Sequence, residues 1–375
     1  MALTNFAALT SEQKTAWSKQ FWKEARNLSF INQFTGTGPN SMVQRITELK
    51  KSEKGARAVL TLVNEMASDG VVGDYDLDGN EEALGSSEDV IQLDQLRNAN
   101  MIAGRMADQK SIVNFREQSK DKLAYWMADR MDQLAFLTLS GIDYTSTNKG
   151  AARPVLATGR NLGDLEFASD VSAPTSARQL RWNGTSGSLV EGADTGSITT
   201  SDVISYKSLV LAKAFCKDNY IRGIRGPAGQ EIYHVFVTPK TMAQLRLDSD
   251  FLANSRNALP RSEKNPLFAG ATSVMIDGMI VHEFRHVYNT ANAAGGSKWG
   301  AAGAVDGERV LICGAQALGF ADIGDAYWDE EDKDYKNRKG ISIGKIMGMK
   351  KPVLNSSANG SDQDFGVVAL DVAHV

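Results

Sequence analysis

The 375-residue sequence has few of the residues that build disulfide-rich, zinc-binding or membrane-anchored proteins. Its two cysteines, Cys216 and Cys313, are too few and too far apart for a disulfide framework or a thiolate zinc site, which indicates a reducing compartment. The longest apolar runs, at 59–63 and 279–281, are far shorter than the ~20 residues that span a bilayer. Because the first residues also lack a basic segment followed by an apolar core, we expect neither a signal peptide nor a membrane partner.

Neither sign of charge dominates, and the common catalytic motifs are missing. The chain has 41 Lys and Arg against 45 Asp and Glu, a formal charge of −4. This balance argues against a protein that reads nucleic acid by neutralising phosphates. The sequence contains no G-x-x-x-x-G-K-[ST] phosphate loop and no G-x-S-x-G nucleophile elbow. Since no local motif combines a nucleophile, a base and an orienting residue, we predict no enzyme activity and no cofactor.

Glycine is the residue in excess, at 34 of 375, which indicates many turns and long loops. The first 40 residues read as an arm with one short amphipathic helix, followed by a helix-breaking stretch at 34–40. Because this helix has little local chain to pack on, we expect its aromatic side chains to dock on another domain or subunit. These contact candidates are Trp17, Phe21 and Trp22.

Residues 41–105 read as a projecting hairpin. Runs at 59–63 and 90–93 are typical of strands, and the 26 residues between them are rich in glycine and acidic residues. Such a connection is long, because most are ~4–6 residues. Basic residues near its base are either solvated or form salt bridges to a neighbouring subunit: Lys50, Lys51 and Arg57.

A long helix follows and ends before Gly141. Apolar residues keep three-to-four spacing from 111 to 139 without an internal Gly or Pro, and ~29 residues correspond to a rod of about 43 Å. Residues 142–200 have few apolar clusters, so we expect an inserted loop or a small β excursion there, and we expect it to be exposed. The remainder mixes a helix at 201–217 and one after Pro239 with several short strands, which makes the fold class α+β.

One segment matches the H-E-x-x-H pattern of zinc metallopeptidases. His282, Glu283 and His286 fit it, and Glu308 follows at a distance suited to a third ligand. The motif requires a helix, yet β-branched residues and a glycine precede it, which favours a strand. On a strand the two histidines would be about 13 Å apart, too far for one zinc ion. We therefore interpret the match as accidental and predict no metal.

Two acidic stretches invite other interpretations. Asp74, Asp76, Asp78 and Gly79 match the opening of a calcium loop, but the twelfth position is a glycine instead of a glutamate, so a solvated loop tip is the favoured alternative to a weak cation site. The charge run at 329–334 lies beside Trp328 and is explained by a solvated face or a subunit contact.

Five stretches in this order resemble the major capsid proteins of tailed bacteriophages with the Hong Kong 97-type fold. They are residues 70–84, 122–141, 237–250 and 265–270, and a C-terminal block with motifs at 313–319, 334–335, 346–351 and 364–367. The resemblance implies six parts: an N-terminal arm (1–40), an extended β-hairpin loop with part of a peripheral domain (41–105), a spine helix of that domain (106–141), a variable insertion (142–200), an axial domain (201–345) and return strands to the periphery (346–375).

The resemblance further implies a structural protein of the virion that is assembled in the host bacterial cytoplasm. Such a protein forms hexamers and pentamers of an icosahedral head around double-stranded DNA, which it holds without sequence-specific binding. Only about 40 residues precede the extended loop, which implies a separate scaffolding protein; a portal is a further implied partner and a decoration protein an optional one. The inter-subunit contact candidates are Trp17, Phe21, Trp22, Lys50, Lys51, Arg57, Asp74, Asp76, Asp78 and Trp328.

Two alternatives stay open at this point. A non-viral, encapsulin-like nanocompartment shell would contain protein cargo instead of DNA. A zinc metallopeptidase using His282, Glu283 and His286 would bind one equivalent of zinc and lose activity when Glu283 is replaced.

Overall fold

The computed structural model describes residues 25, 28–47, 57–63, 68–81, 86–110, 115–156, 159–192, 194–226, 229–258, 273–356 and 361–375. Within them the fold is α+β, as expected. The helices are α1 Arg105–Lys110, α2 Phe115–Ser140, α3 Tyr206–Asp218, α4 Pro239–Leu247 and α5 Ser249–Ala258. No helix in these ranges is long and apolar enough to cross a bilayer.

Eighteen strands are described. The first nine are β1 Thr35–Gly36, β2 Val43–Ile46, β3 Arg57–Val63, β4 Ser86–Gln92, β5 Asp94–Met101, β6 Gln179–Asn183, β7 Ser188–Glu191, β8 Ile224–Arg225 and β9 Glu231–Val237. The others are β10 Ser273–Ile276, β11 Met279–Glu283, β12 Gly307–Cys313, β13 Leu318–Asp322, β14 Tyr327–Lys333, β15 Arg338–Lys350, β16 Val353–Ser356, β17 Ser361–Asp364 and β18 Val367–Ala373.

Two larger sheets and two hairpins take up these strands. A six-stranded sheet has the order β1-β2-β13-β15-β14, with β5 also paired to β15. An eight-stranded sheet has the order β10-β11-β9-β12-β18-β6-β7, with β8 on β9. The pairs β3–β4 and β16–β17 form separate two-stranded sheets.

The predicted long helix is confirmed as α2. Its 26 residues correspond to about 39 Å and contain neither Gly nor Pro. The C-terminal turns are fully enclosed, because residues 134–140 are all buried. The helix ends at Gly141, whose φ of +65° is left-handed and whose added Cβ would lie 2.4 Å from the Ser172 carbonyl oxygen. Only glycine satisfies both conditions.

The fold has two large apolar cores, and strands β9, β12 and β18 of the eight-stranded sheet contribute to both. One core combines α2 with the six-stranded sheet and includes Met127, Met131, Leu134, Phe136, Trp328, Ile343 and Met347. The other combines α3 and α4 with the eight-stranded sheet and includes Leu209, Met242, Leu245, Val281, Ile312 and Leu370. The helix after Pro239 begins as predicted, because Thr238 caps it and Pro239 occupies its first position.

The segment 142–200 contains the β6–β7 hairpin, in agreement with the β excursion, but the expectation of exposure fails at several of its large apolar residues. Phe167 and Leu180 are fully buried, and Trp182 is 3% exposed. Strand β6 pairs in parallel with β18 and thus lies inside the eight-stranded sheet. The segment looked loose because its few large apolar residues are separated by turns, yet each of these three reaches a core.

The domain boundaries predicted after residue 200 also need correction. The range 201–345 is divided, because β8 to β12 lie in the eight-stranded sheet whereas β13 and β14 lie in the six-stranded sheet. Strand β15 crosses the boundary at 345 without a break. Strand β18, expected to return to the periphery, pairs with β12 in the eight-stranded sheet.

A buried ion pair connects the eight-stranded sheet to the end of α2. Arg309 on β12 binds Asp371 on β18 through Nε at 2.8 Å and Nη2 at 3.2 Å, and its Nη1 donates to the Ser140 carbonyl at the end of α2. The Gln179 amide also donates to Asp371. Arg309 is 6% exposed and Asp371 1%, so neither charge has water as a substitute partner.

Replacing Asp371 tests the strength of this connection. We expect Asp371→Asn to lower the free energy of unfolding by about 3–5 kcal/mol, because it leaves the Arg309 cation buried without a counterion. Denaturant unfolding measures the change. The matched control is Asp277→Asn, which breaks an exposed pair with Lys213 and should change stability by about 0–1 kcal/mol. Equal effects of the two substitutions would contradict this account.

Candidate assembly surface

The hairpin of β3 and β4 leads to an exposed segment, residues 68–81. Its strands pair antiparallel from Arg57–Gln92 to Val63–Ser86, seven pairs that extend over roughly 23 Å. Ala58, Leu60 and Ile91 are buried where the hairpin meets the fold.

Polar contacts fix the base of the hairpin. Asp170 Oδ2 accepts from the Gln92 backbone N–H at 2.7 Å, and Lys350 Nζ lies 2.5 Å from Asp89 Oδ1. The Val353 N–H also donates to Asp89. The predicted hairpin is therefore confirmed, and these contacts anchor its base to the fold.

The segment beyond the strands, residues 68–81, is here called the loop tip. Three of its apolar side chains are exposed: Val72 at 78%, Tyr75 at 82% and Leu77 at 62%. Its acidic side chains are Asp69, Asp74, Asp76, Asp78 and Glu81, and it contains neither Lys nor Arg. All three apolar side chains lie within six consecutive residues of the tip.

Hydrogen bonds between side chains and backbone hold the acidic turn. The Gly79 N–H donates to Glu81 Oε2 at 2.8 Å, and the Asn80 amide donates to the Asp76 carbonyl at 3.0 Å. All three predicted acidic candidates, Asp74, Asp76 and Asp78, are exposed. No group of three or more His, Cys, Asp or Glu side chains in the described ranges is placed to hold a metal ion.

The segment that leads out of the arm is held by a buried carboxylate. Asp132 on α2 accepts from Ser29 Oγ at 2.7 Å and from the backbone N–H groups of Phe30 and Ile31 at 2.9 and 3.1 Å. It is 4% exposed, and burial raises its pKa although the three hydrogen bonds oppose the shift. The sequence offered one signal for it, a charged residue on the apolar face of a long helix.

Aromatic rings complete this attachment. Phe30 stacks on Phe284 with a centroid distance of 4.1 Å, and Phe34 contacts Phe236 edge-on at 5.2 Å. The Phe34 ring also lies 5.0 Å from that of His282. Residues 30–34 therefore dock on β9 and β11 of the same subunit.

We expect Asp132→Ala to release this segment from α2. The loss of three hydrogen bonds to a buried carboxylate should reduce the free energy of unfolding by about 2–4 kcal/mol. Hydrogen exchange should accelerate at the amides of Phe30 and Ile31. Asp121→Ala is the control on the same helix, since its side chain is 53% exposed and its loss should stay within about 0.5 kcal/mol. Unchanged exchange at both amides would refute the anchoring role.

The residues of the H-E-x-x-H match do not converge. Strand β11 ends at Glu283, which confirms the strand interpretation. His282 Nε2 lies 2.9 Å from His234 Nδ1, whereas His286 Nε2 lies 2.8 Å from Asp129 Oδ1.

The third-ligand candidate, Glu308, lies elsewhere. It is fully buried and accepts from the Thr238 backbone N–H at 2.7 Å, with His374 Nδ1 at 2.9 Å. It therefore fixes the start of α4 and the C-terminal residues, and the geometry required for a zinc site is not present in these side chains.

The histidine pair generates a pH prediction. Burial, and secondarily the neighbouring His234, lowers the pKa of His282 to about 4, against about 6.5 for an unfolded chain. The unfolded state therefore binds more protons between these values, so stability should fall as pH falls from 6.5 to 4. Converting the full pKa shift of His282 would overstate the loss of stability, because the ring is partly exposed. We therefore expect the free energy of unfolding to fall by about 1–2 kcal/mol.

Denaturant unfolding from pH 7 to pH 4 measures this loss. In the variant His282→Gln, the free energy of unfolding should depend less on pH. The control His286→Gln should keep the pH dependence that His282 contributes. Identical profiles for wild type and His282→Gln would contradict the assignment.

The remaining contact candidates fall into three groups: undescribed, exposed and buried. Trp17, Phe21, Trp22, Lys50 and Lys51 lie outside the described residues. Arg57 is exposed at the start of β3. Trp328 is 3% exposed, packs in the core beside α2 and donates from Nε1 to Glu330 at 2.9 Å, so it is removed from the contact candidates. Its acidic neighbours suggested a surface position, but alternation along β14 turns this one ring inward.

Solved phage capsids share this architecture. The capsid protein of Ralstonia phage GP4 superposes with a TM-score of 0.72 and 25% identity, over 92% of this chain and 90% of that one. The capsid protein of cyanophage Pam1 gives a TM-score of 0.70 at 20% identity, over 91% of each chain. The head protein of Helicobacter pylori bacteriophage KHP40 gives 0.65 at 16% identity, over 92% of each. The fold is thus the Hong Kong 97-type fold of phage capsids.

Sequence comparison reaches the same class. A family model described as phage capsid protein matches residues 5–375. The major capsid protein of Pseudomonas phage KPP25 is 56% identical over 371 residues, which is 99% of this chain and 97% of that one. The chain belongs to the phage capsid protein family and is a structural major capsid protein. These relatives are neither nanocompartment shells nor peptidases.

Proposed function

We propose that copies of this subunit form the hexamers and pentamers of an icosahedral head around double-stranded DNA, and that the role involves no catalysis. The observation that carries the proposal is the loop tip, whose Val72, Tyr75 and Leu77 side chains are 78%, 82% and 62% exposed. Apolar side chains exposed beyond an anchored hairpin base are explained if a second copy of the subunit buries them.

The contact chemistry of the tip has two components. Its three apolar side chains supply the area that a partner removes from water, and a tyrosine is a frequent energetic centre of such contacts. The surrounding carboxylates, Asp74, Asp76 and Asp78 among them, favour a partner surface with exposed Lys or Arg and disfavour a second loop tip. Each contact is then between unlike surfaces, which is the arrangement that builds rings and shells.

Other partners follow from the shell role. A separate scaffolding protein would direct curvature during assembly in the host cytoplasm, a portal would occupy one vertex, and a decoration protein would bind the outside. The arm residues Trp17, Phe21 and Trp22 and the basic residues Lys50, Lys51 and Arg57 remain proposed contacts with neighbouring subunits.

Polar substitution of the loop tip tests assembly apart from folding. We expect the triple variant Val72→Ser, Tyr75→Ser, Leu77→Ser to keep its thermal unfolding midpoint, because exposed residues change stability by only about 0.5 kcal/mol each. The yield of particles should fall at least about tenfold. The reason is that each subunit loses a loop-tip contact of about 2 kcal/mol with its neighbour, and this loss is repeated at every subunit of the shell. Light scattering and negative-stain electron microscopy measure it.

The matched control is Tyr220→Ser, a tyrosine that is 81% exposed in a different part of the fold. It should assemble like wild type. Normal particles from the triple variant, or equal loss from the control, would show that the loop tip does not carry the contact.

A further inference from the structure

A cluster of cations surrounds the middle of α2. Tyr125, Asp129 and Gln133 follow one another at four-residue spacing and so share one face of the helix. Arg285, just beyond β11, donates from Nη2 to the Tyr125 hydroxyl at 2.6 Å and to Asp129 Oδ1 at 3.1 Å. Its side chain is 58% exposed. The tail of the H-E-x-x-H match therefore contributes a fixed, exposed guanidinium.

Two further arginines meet at a neutral acceptor. Arg130 Nη1 and Arg153 Nη2 both donate to Gln133 Oε1, so their guanidinium groups lie side by side. Neither is within salt-bridge distance of a carboxylate in the described part of the chain. Burial, together with the neighbouring Arg130 charge, lowers the pKa of Arg153, although the Asp129 carboxylate opposes this shift. These like charges would both be stabilised by an anion.

The loop after α2 is fixed against this cluster. Asn148 donates to the Gln133 carbonyl at 3.2 Å and to the His286 carbonyl at 2.7 Å. Lys149 follows it and is exposed. The nearest carboxylate, Asp129, already accepts from Arg285, His286 and Gln133. Counting Arg130, Lys149, Arg153 and Arg285 against Asp129 gives the cluster a formal charge of +3, on a chain whose net charge is −4.

We propose that Arg130, Lys149, Arg153 and Arg285 form a contact surface for the phosphate backbone of double-stranded DNA. This inference rests on the proposed function, because a shell that encloses DNA must present an inner surface to it. Guanidinium forks held in place by Gln133, Tyr125 and Asp129 match phosphate oxygens bidentately, and no base-reading side chain is needed. The cluster offers a partner mainly positive charge, because its four cations are accompanied by a single large ring, Tyr125.

The mild acidity of the chain is then consistent with DNA inside. A local group of a few cations neutralises a few phosphates per subunit, and repetition over the shell supplies the total. Binding of this kind is sequence-independent and weakens steeply with salt.

The test compares two double variants of equal net charge. Arg130→Gln with Arg153→Gln removes two charges from the cluster. Lys213→Gln with Lys217→Gln removes two from α3, where Lys213 pairs with Asp277 and Lys217 with Glu231. Fluorescence anisotropy of a labelled 24-base-pair duplex measures affinity of the full-length protein from 50 to 200 mM salt, and thermal unfolding confirms that each variant is folded.

We expect the arginine variant to bind the duplex roughly 10–100-fold more weakly, with a slope of log K against log salt that is smaller by about two. The lysine variant should match wild type. If the arginine variant fails to fold, Arg285→Gln replaces it, and the slope should decrease by about one.

Equal binding by the two variants would overturn the inference. So would a loss confined to polyglutamate, measured as a second probe, because the surface would then take an acidic protein. Inorganic phosphate at 1 mM should compete weakly with the duplex; full displacement would indicate a small-anion site and also refute the proposal. Particle formation by the same variants is scored separately by electron microscopy, so failure of shell assembly and failure of DNA contact are distinguishable.

Discussion

The ion pair between Arg309 and Asp371 fixes how the end of α2 lies on the eight-stranded sheet. Its guanidinium also binds the Ser140 carbonyl, and Asp371 also accepts from Gln179, so one buried contact joins the end of α2 to β12, β18 and β6. Without it the long helix and the eight-stranded sheet would share mainly apolar contacts, which fix direction and register less strictly than directed hydrogen bonds. The orientation of α2 in turn determines where the hairpin base, the arm attachment and the cationic cluster lie.

Much of the secondary structure was predictable because it depends on local patterning. The helices starting near 115 and at Pro239, and the strands at 59–63, 279–283 and 367–373, follow from periodicity and capping. The assignment of strands to sheets was not predictable, since β18 pairs with β12 across more than 50 residues and with β6 across 190 residues. Register over such distances depends on packing that no single segment encodes.

The same distinction applies to the candidate surfaces. The loop tip could be found from sequence, because glycines and acidic residues mark an exposed turn wherever it is placed. Trp328 was misplaced because its neighbours are charged while its own side chain points to the core. Asp132 and the arginine cluster were missed, since Asp132 acts on residues about 100 positions away and Arg153 meets Arg130 only through Gln133. Such sites are combinations of distant residues, which a motif search does not join.

The separation of charge within the subunit gives the small net charge a structural meaning. The loop tip carries five carboxylates and no cation, whereas the cluster on α2 carries four cations around one carboxylate. Averaged over the chain these nearly cancel, so composition alone indicated a protein with little affinity for DNA. Fields from opposite charges decay within about 10 Å at 0.1 M salt, so each surface acts on its own partner with its own sign. Such a subunit can repel the loop tips of other subunits from its own loop tip and attract phosphates at the cationic cluster on α2. The net charge of the chain reveals neither the repulsion nor the attraction.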